Sequence, residues 1–233
     1  MISLQTLPND YRAVIIGASG GIGGALCDIL RSDPHCGEVI GFSRSGAPKL
    51  DLIDEASIES AARHAGENGP VHLLICASGF LHGGAIQPEK SIKALSPEGY
   101  TQNFAVNAAG PLLVLKHFAP LFPRKDRAVF AALSARVGSI SDNRLGGWYA
   151  YRAAKAALNM GLKTASIEFA RTHKALTILA LHPGTVATEL SAPFAGSREV
   201  FTSAKCAEKL LAVIDGAHDT GSFLAYDGQK IAW

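Results

Sequence analysis

The stretch that decides the fold runs from position 12 to position 23: Arg12-Ala13-Val14-Ile15-Ile16-Gly17-Ala18-Ser19-Gly20-Gly21-Ile22-Gly23. Its first five residues are a short apolar, β-prone run, and its last seven spell a Gly-x-x-x-Gly-x-Gly loop. Behind the loop, Ile22, Leu26, Ile29 and Leu30 recur at helical spacing through Arg31, and Asp33-Pro34 breaks the helix. Strand, glycine turn and helix in that order let a backbone approach a pyrophosphate closely. The turn needs positive φ, and the helix N-terminus faces the phosphate charge. Gly17, Gly21 and Gly23 therefore read as a dinucleotide cradle.

The same alternation continues along the chain. Residues 38–42, 71–76, 128–133, 177–181 and 222–226 read as further strands and 48–52 as a short extended piece, about seven strands in all. Helices are expected at about 54–67, 97–121, 151–172 and 203–215, with loops at 79–97 and 183–200. Apolar strands alternating with helices imply a parallel sheet covered on both faces. Right-handed crossovers make it a doubly wound, Rossmann-like α/β fold, here a single domain over residues 1–233. Ligands in such sheets bind at the carboxyl ends of the strands. The glycine loop, Ser43-Arg44, residues 76–79, Ser134 and Pro183-Gly184 all fall at that edge.

Composition narrows the function. A formal charge of +2 without any Lys/Arg run argues against nucleic acid or an anionic membrane as main partner. No apolar stretch reads as the roughly 20 residues needed to span a bilayer, and residues 1–11 lack the pattern of a signal peptide. The four cysteines form no Cys-x-x-Cys pair and the eight histidines no metal-binding cluster. Reduced thiols, a cytoplasmic location and no metal are the expectation.

Tyr151 and Lys155 stand four residues apart at the head of a helical stretch, so a phenol and an ammonium share one helix face. A fixed cation beside a phenol favours the phenolate and moves its pKa down toward the range of general acid–base catalysis. The second strand ends at Ser43-Arg44-Ser45 with no carboxylate. An acidic residue there suits the ribose 2′-hydroxyl of NAD, whereas Arg44 suits the 2′-phosphate of NADP through a planar, bidentate contact. NADP(H) is therefore expected ahead of NAD(H), and Asp51 can accept from an adenine amino group.

These residues together resemble the short-chain dehydrogenase/reductase family, its compact subgroup, over essentially the whole chain. The matching motifs are the Gly17–Gly23 loop, Asp51-Leu52, Cys76-Ala77-Ser78-Gly79 in place of the usual Asn-Asn-Ala-Gly, Asn107, Tyr151-x-x-x-Lys155, and Pro183-Gly184 with Thr188. The segment LSARVGSISDNRLGGWYAYRAAKAAL (133–158) is most similar to the C-factor and sniffer-like carbonyl reductases.

The resemblance implies hydride exchange between a nicotinamide and a small carbonyl or alcohol substrate. Tyr151 would be the general acid or base, Lys155 its tuner and a ribose ligand, and Asn107 the support of a water chain behind Lys155. It further implies cofactor contacts from Gly17, Ser19, Gly21, Ile22, Gly23, Ser43, Arg44, Asp51, Leu52, Ala77, Ser78, Gly79, Tyr151, Lys155, Pro183, Gly184, Val186 and Thr188. A homodimer or homotetramer built through the two long central helices is expected as well. A serine would hold the substrate oxygen. Measured back from Gly138 it falls at Ala135, so Ser134, shifted by one residue, is the first candidate and Ser139 another. Two further readings stay open: 3-oxoacyl reduction, and a cofactor-binding signalling protein with vestigial catalysis. Trp148 either lines the pocket or packs, and His182 reads as a satisfied strand-end histidine.

Overall fold

A computed structural model describes residues 2–194 and 200–233, so residues 195–199 of the expected 183–200 loop lie outside the described residues. Six parallel strands form one sheet in the order β2-β1-β3-β4-β5-β6. They are β1 (Tyr11–Ile16), β2 (Cys36–Phe42), β3 (Leu73–Cys76), β4 (Ala128–Leu133), β5 (Leu176–His182) and β6 (Ser222–Ala225). Six α-helices cover the sheet: α1 (Gly21–Arg31), α2 (Glu55–Gly66), α3 (Pro97–Phe104), α4 (Gly110–Phe118), α5 (Tyr149–Phe169) and α6 (Ser203–Gly216). The order reverses direction between β1 and β3, which opens a crevice at their carboxyl ends.

Side chains along a strand alternate between faces, and here both faces are core. Val14, Ile16, Leu74, Phe130 and Ile178 pack on one side with Ile58 of α2, Phe118 of α4 and Leu162 of α5. Ala13, Ile15, Leu73, Val129 and Leu179 pack on the other with Leu26 of α1 and Leu210 of α6. Each fully buried Leu or Ile contributes roughly 1.5–3 kcal/mol relative to exposure. That is why β1 carries no polar face to solvent: all six of its residues are buried.

Two expectations need correction. The sheet has six strands rather than about seven. The 48–52 piece makes only a single parallel bridge, Ser43 to Lys49, before the chain turns into Asp54, whose carboxylate caps α2 by accepting from Ser57 N. The helix expected at 97–121 is a run of different turns. It is α-helical to Phe104, a π-helix at Ala105–Ala109, α-helical again at Gly110–Phe118, and 3₁₀ at Ala119–Leu121.

The cause of the break is Pro111, four residues after Asn107. It has no N–H for the Asn107 carbonyl, and its ring would crowd that oxygen in a regular α-helix. Gly110 N reaches back five residues to Ala105 O instead. Contrary to the reading from sequence, this run, Pro97–Leu121, is long and apolar enough to cross a membrane by length and composition. In this fold Val114, Leu115 and Phe118 from it are buried in the core.

Candidate active site

The glycine loop is a cradle made by missing Cβ atoms. Gly17 follows β1 with φ of +89°, and a Cβ there would stand 2.5 Å from Ser78 Oγ. A Cβ on Gly23 would stand 2.1 Å from Gly17 O, so only glycine lets α1 start this close beneath the loop. Gly21 faces Thr188 Cγ2 and Ser203 Oγ in the same way. Gly20 caps α1 without a side-chain acceptor, and no acidic residue sits in the first turn. The first N–H groups of α1 therefore point out of the helix end with their partial positive charge uncompensated. This donor set fits a pyrophosphate. Ser19 and Ile22 belong to the same loop, and Ile22 also lines the cavity described below.

At the end of β2, Ser43 is half-buried and Arg44 exposed, and among the described residues Arg44 has no ion-pair partner. Asp51 lies with its carboxylate 4.0 Å from Lys49 Nζ and accepts from Ile53 N. Leu52 departs from expectation: its side chain is a core residue packed under Gly110, so only its main chain is left for a cofactor. Ala77, Ser78 and Gly79 extend from β3 across the crevice, tied by Ala77 N to Ile16 O at 2.8 Å.

Asn107 is fully buried in the π-helical turn. Its amide grips the Phe80 main chain on both sides, with Oδ1 accepting from Phe80 N at 3.0 Å and Nδ2 donating to Phe80 O at 2.6 Å. Gly79 is thereby held where a Cβ would lie 3.3 Å from Asn107 Oδ1 and 3.9 Å from Lys155 Nζ.

Tyr151 and Lys155 share one face of α5, with Nζ 5.7 Å from the phenol ring centroid. Lys155 is buried and donates to Leu133 O at 2.8 Å. Burial lowers its pKa to about 8, against a small opposing pull from the Cys76 thiol. The Tyr151 phenol is pushed up, to about 12, by burial. The direction is opposite to the lowered phenol expected from the spacing: in the protein alone, loss of solvation favours the neutral form, and Tyr151 is a protonated donor at neutral pH. Among the described residues its hydroxyl makes no side-chain hydrogen bond, and Tyr151 lines a cavity of about 500 Å³.

The candidate serines also require correction. Ser134 borders the cavity, but its Oγ donates to Asn159 Oδ1 at 2.6 Å inside the protein. Ser139 is buried and donates to Ala232 O at 2.5 Å, while Ser141 N and Oγ donate to Trp233 O. Ala135, at the position where the resemblance expects the serine, lines the cavity. No serine hydroxyl among these candidates is thus an unengaged donor beside Tyr151.

Pro183, Gly184, Val186 and Thr188 close the opposite wall. Gly184 has φ of +79°, and a Cβ there would run into the rings of Tyr226 and Phe201. Thr188 Oγ1 lies 3.1 Å from Ser191 Oγ. His182 is the satisfied strand-end histidine expected: Nδ1 faces Arg136 N at 3.3 Å, and burial, helped by Arg136, holds its pKa down to about 4.

Several contributors were missed. Asn159 lies four residues beyond Lys155, so the helical spacing that joined Tyr151 to Lys155 also places it on their face. Leu81, Leu190 and Phe194 line the cavity from loops without periodicity. Glu89 accepts from Trp148 N and, across 61 residues of sequence, from Ala150 N at the head of α5, and no local pattern announces it.

The comparisons agree with this architecture. A family model described as enoyl-(acyl carrier protein) reductase matches residues 25–230. The C-signal protein of Myxococcus xanthus is 35% identical over 134 residues, covering 57% of this chain and 77% of that protein. A 1-hydroxy-2-glutathionyl-2-methyl-3-butene dehydrogenase of Rhodococcus sp. is 29% identical over 189 residues, 80% of this chain and 79% of its own. The NADPH-bound carbonyl reductase from chicken fatty liver superposes with a TM-score of 0.84 at 26% identity, covering 97% of this chain and all of that one. Sniffer, a carbonyl reductase of D. melanogaster, shares the fold with a TM-score of 0.82 at 21% identity, covering 97% of this chain and 100% of that one. A family match that runs from the middle of α1 almost to the last residue makes the chain a member of the short-chain dehydrogenase/reductase family and an oxidoreductase of that type.

Proposed function

We propose that the chain is an NADP(H)-dependent carbonyl reductase, or an alcohol dehydrogenase in the reverse direction, acting on a small carbonyl compound. The observation that carries the reading is Tyr151 on the wall of a cavity that Ile22 of the glycine loop also lines, with Lys155 Nζ 5.7 Å from its ring. A bound nicotinamide supplies a hydride to the carbonyl carbon. Tyr151 then gives its proton to the substrate oxygen, which suits a phenol kept protonated by burial. Lys155 holds the ribose and the charge beside that phenol, and Asn107 keeps Gly79 and Phe80 against it. Pro183, Gly184, Val186 and Thr188 hold the nicotinamide end. Arg44 selects NADP(H), in keeping with the NADPH-bound chicken carbonyl reductase.

We further propose a homodimer or homotetramer, for which Met160 and Ile167 on the exposed face of α5 supply apolar contact. The four unpaired cysteines support a reducing, cytoplasmic setting. The test is NADPH absorbance followed against a panel of aldehydes and ketones. Loss of the signal in Tyr151→Phe supports the reading, and no turnover by wild type across the panel removes it. A signalling role with weak catalysis is a second reading. Ala135 and the engaged Ser134 favour it, together with the C-signal relative.

A further inference from the structure

Three consecutive residues ahead of α5, Gly146, Gly147 and Trp148, have left-handed backbone, with φ of 64°, 65° and 51°. Glycine adopts this region freely, whereas a tryptophan there sets a bulky Cβ against its own main chain. The turn is held from two sides. Buried Glu89 accepts Trp148 N on its main-chain oxygen at 2.6 Å and Ala150 N on its carboxylate at 3.3 Å. Arg152 donates to Gly147 O at 2.9 Å, to Gly146 O at 3.0 Å and to Val137 O at 3.3 Å. Conformations of this kind persist only where the surroundings over-determine them, and they gather at ligand clamps.

What the clamp fixes is the position of one indole. The Trp148 ring meets Phe194 at 5.2 Å and Tyr151 at 6.2 Å between centroids, and Phe194 meets His82 at 5.4 Å. Trp148, Phe194, Leu81, Leu145 and Leu190 line the same cavity as Tyr151. The wall beside the proton donor is therefore aromatic, with the indole meeting the Phe194 ring edge to face at 71° and its own main chain held by the clamp. We propose that Trp148, set by the Glu89–Arg152 clamp, is the specificity-determining residue of this site. Its indole and Phe194 take the flat aryl or conjugated part of the substrate, which brings the carbonyl oxygen to Tyr151. Trp148 touches the substrate; Glu89 and Arg152 are positioning residues. The inference rests on the carbonyl-reductase reading above.

The experiment compares NADPH-dependent reduction of benzaldehyde and butanal. Wild type should favour benzaldehyde in kcat/KM. Trp148→Ala should cut that preference at least tenfold, chiefly through KM for benzaldehyde, while Trp148→Phe keeps most of it. Arg152→Lys should shift the preference in the same direction with NADPH affinity unchanged. Equal loss for both aldehydes in Trp148→Ala, or an unchanged preference, overturns the inference. If wild type reduces neither aldehyde, the reductase reading still stands or falls by the wider carbonyl panel, and binding decides the aryl site. The chain has two tryptophans, so Trp233→Phe leaves Trp148 as the only tryptophan, which is excited selectively over the tyrosines at long wavelength. With NADP⁺ present, 1-phenylethanol must quench its emission where 2-butanol does not. Equal or absent quenching by the two alcohols overturns the aryl site.

Discussion

Ser134 Oγ donates to Asn159 Oδ1 at 2.6 Å, a buried bond that engages the hydroxyl the sequence offers first. Both residues are buried, so the bond ties the end of β4 to the face of α5 that carries Tyr151 and Lys155. Ser134→Ala should behave as a stability mutation. It leaves the Asn159 oxygen unsatisfied, at a cost of about 1–3 kcal/mol, with little change in turnover. Urea unfolding beside steady-state kinetics separates the two; a large fall in turnover at unchanged stability would restore Ser134 as the substrate donor.

Ala135→Ser is the complementary change. A hydroxyl at the cavity wall would add a donor to the substrate oxygen as charge develops on it. Donors of this kind are worth about 10²–10³-fold when removed from other enzymes. Turnover should rise several-fold with NADPH affinity unaltered, as measured by single-turnover kinetics and calorimetry.

Tyr151→Phe keeps the ring and its packing against Trp148 but removes the proton. Turnover should fall by at least about 10²–10⁴-fold, while NADPH binding and the unfolding midpoint persist. Near-wild-type turnover would exclude Tyr151 as the acid.

Lys155 sets a pH dependence. Burial brings its pKa to about 8 in the protein alone, and the negative charge of a bound dinucleotide pulls it back up. Binding therefore takes up a proton between those two values, and affinity falls as pH rises above about 8, by up to roughly tenfold per pH unit. Calorimetric titration of NADPH from pH 7 to pH 9, values chosen to bracket that pKa of about 8, should show the decline. Lys155→Met should bind more weakly and lack it.

Arg44→Ala removes an exposed guanidinium that has no ion-pair partner among the described residues. A hydrogen bond to a charged group is worth about 1.5–3 kcal/mol. NADPH affinity should drop roughly tenfold to a hundredfold, and NADH affinity should stay level. Equal effects on the two cofactors would move the selectivity elsewhere.

From its sequence alone this chain declares everything that rests on local pattern. Residues 12–31 state strand, turn and helix because periodicity and glycine placement are properties of neighbouring residues, and the cradle at Gly17, Gly21 and Gly23 follows from them. Tyr151 and Lys155 are legible because four residues of helix put them on one face. The π-turn at Asn107 was also written there, in Pro111 four residues on, but reading it required knowing that the helix continues past the proline.

Tertiary structure decided what depends on groups distant in sequence. Whether Ser134 serves the cavity turned on Asn159, 25 residues away, and the set of α5 and Trp148 turned on Glu89, 61 residues from Ala150. The charge of the site was decided there too. Spacing tells that an ammonium stands near a phenol, but only packing tells how much water each has lost, and here that loss reverses the direction in which the Tyr151 pKa moves.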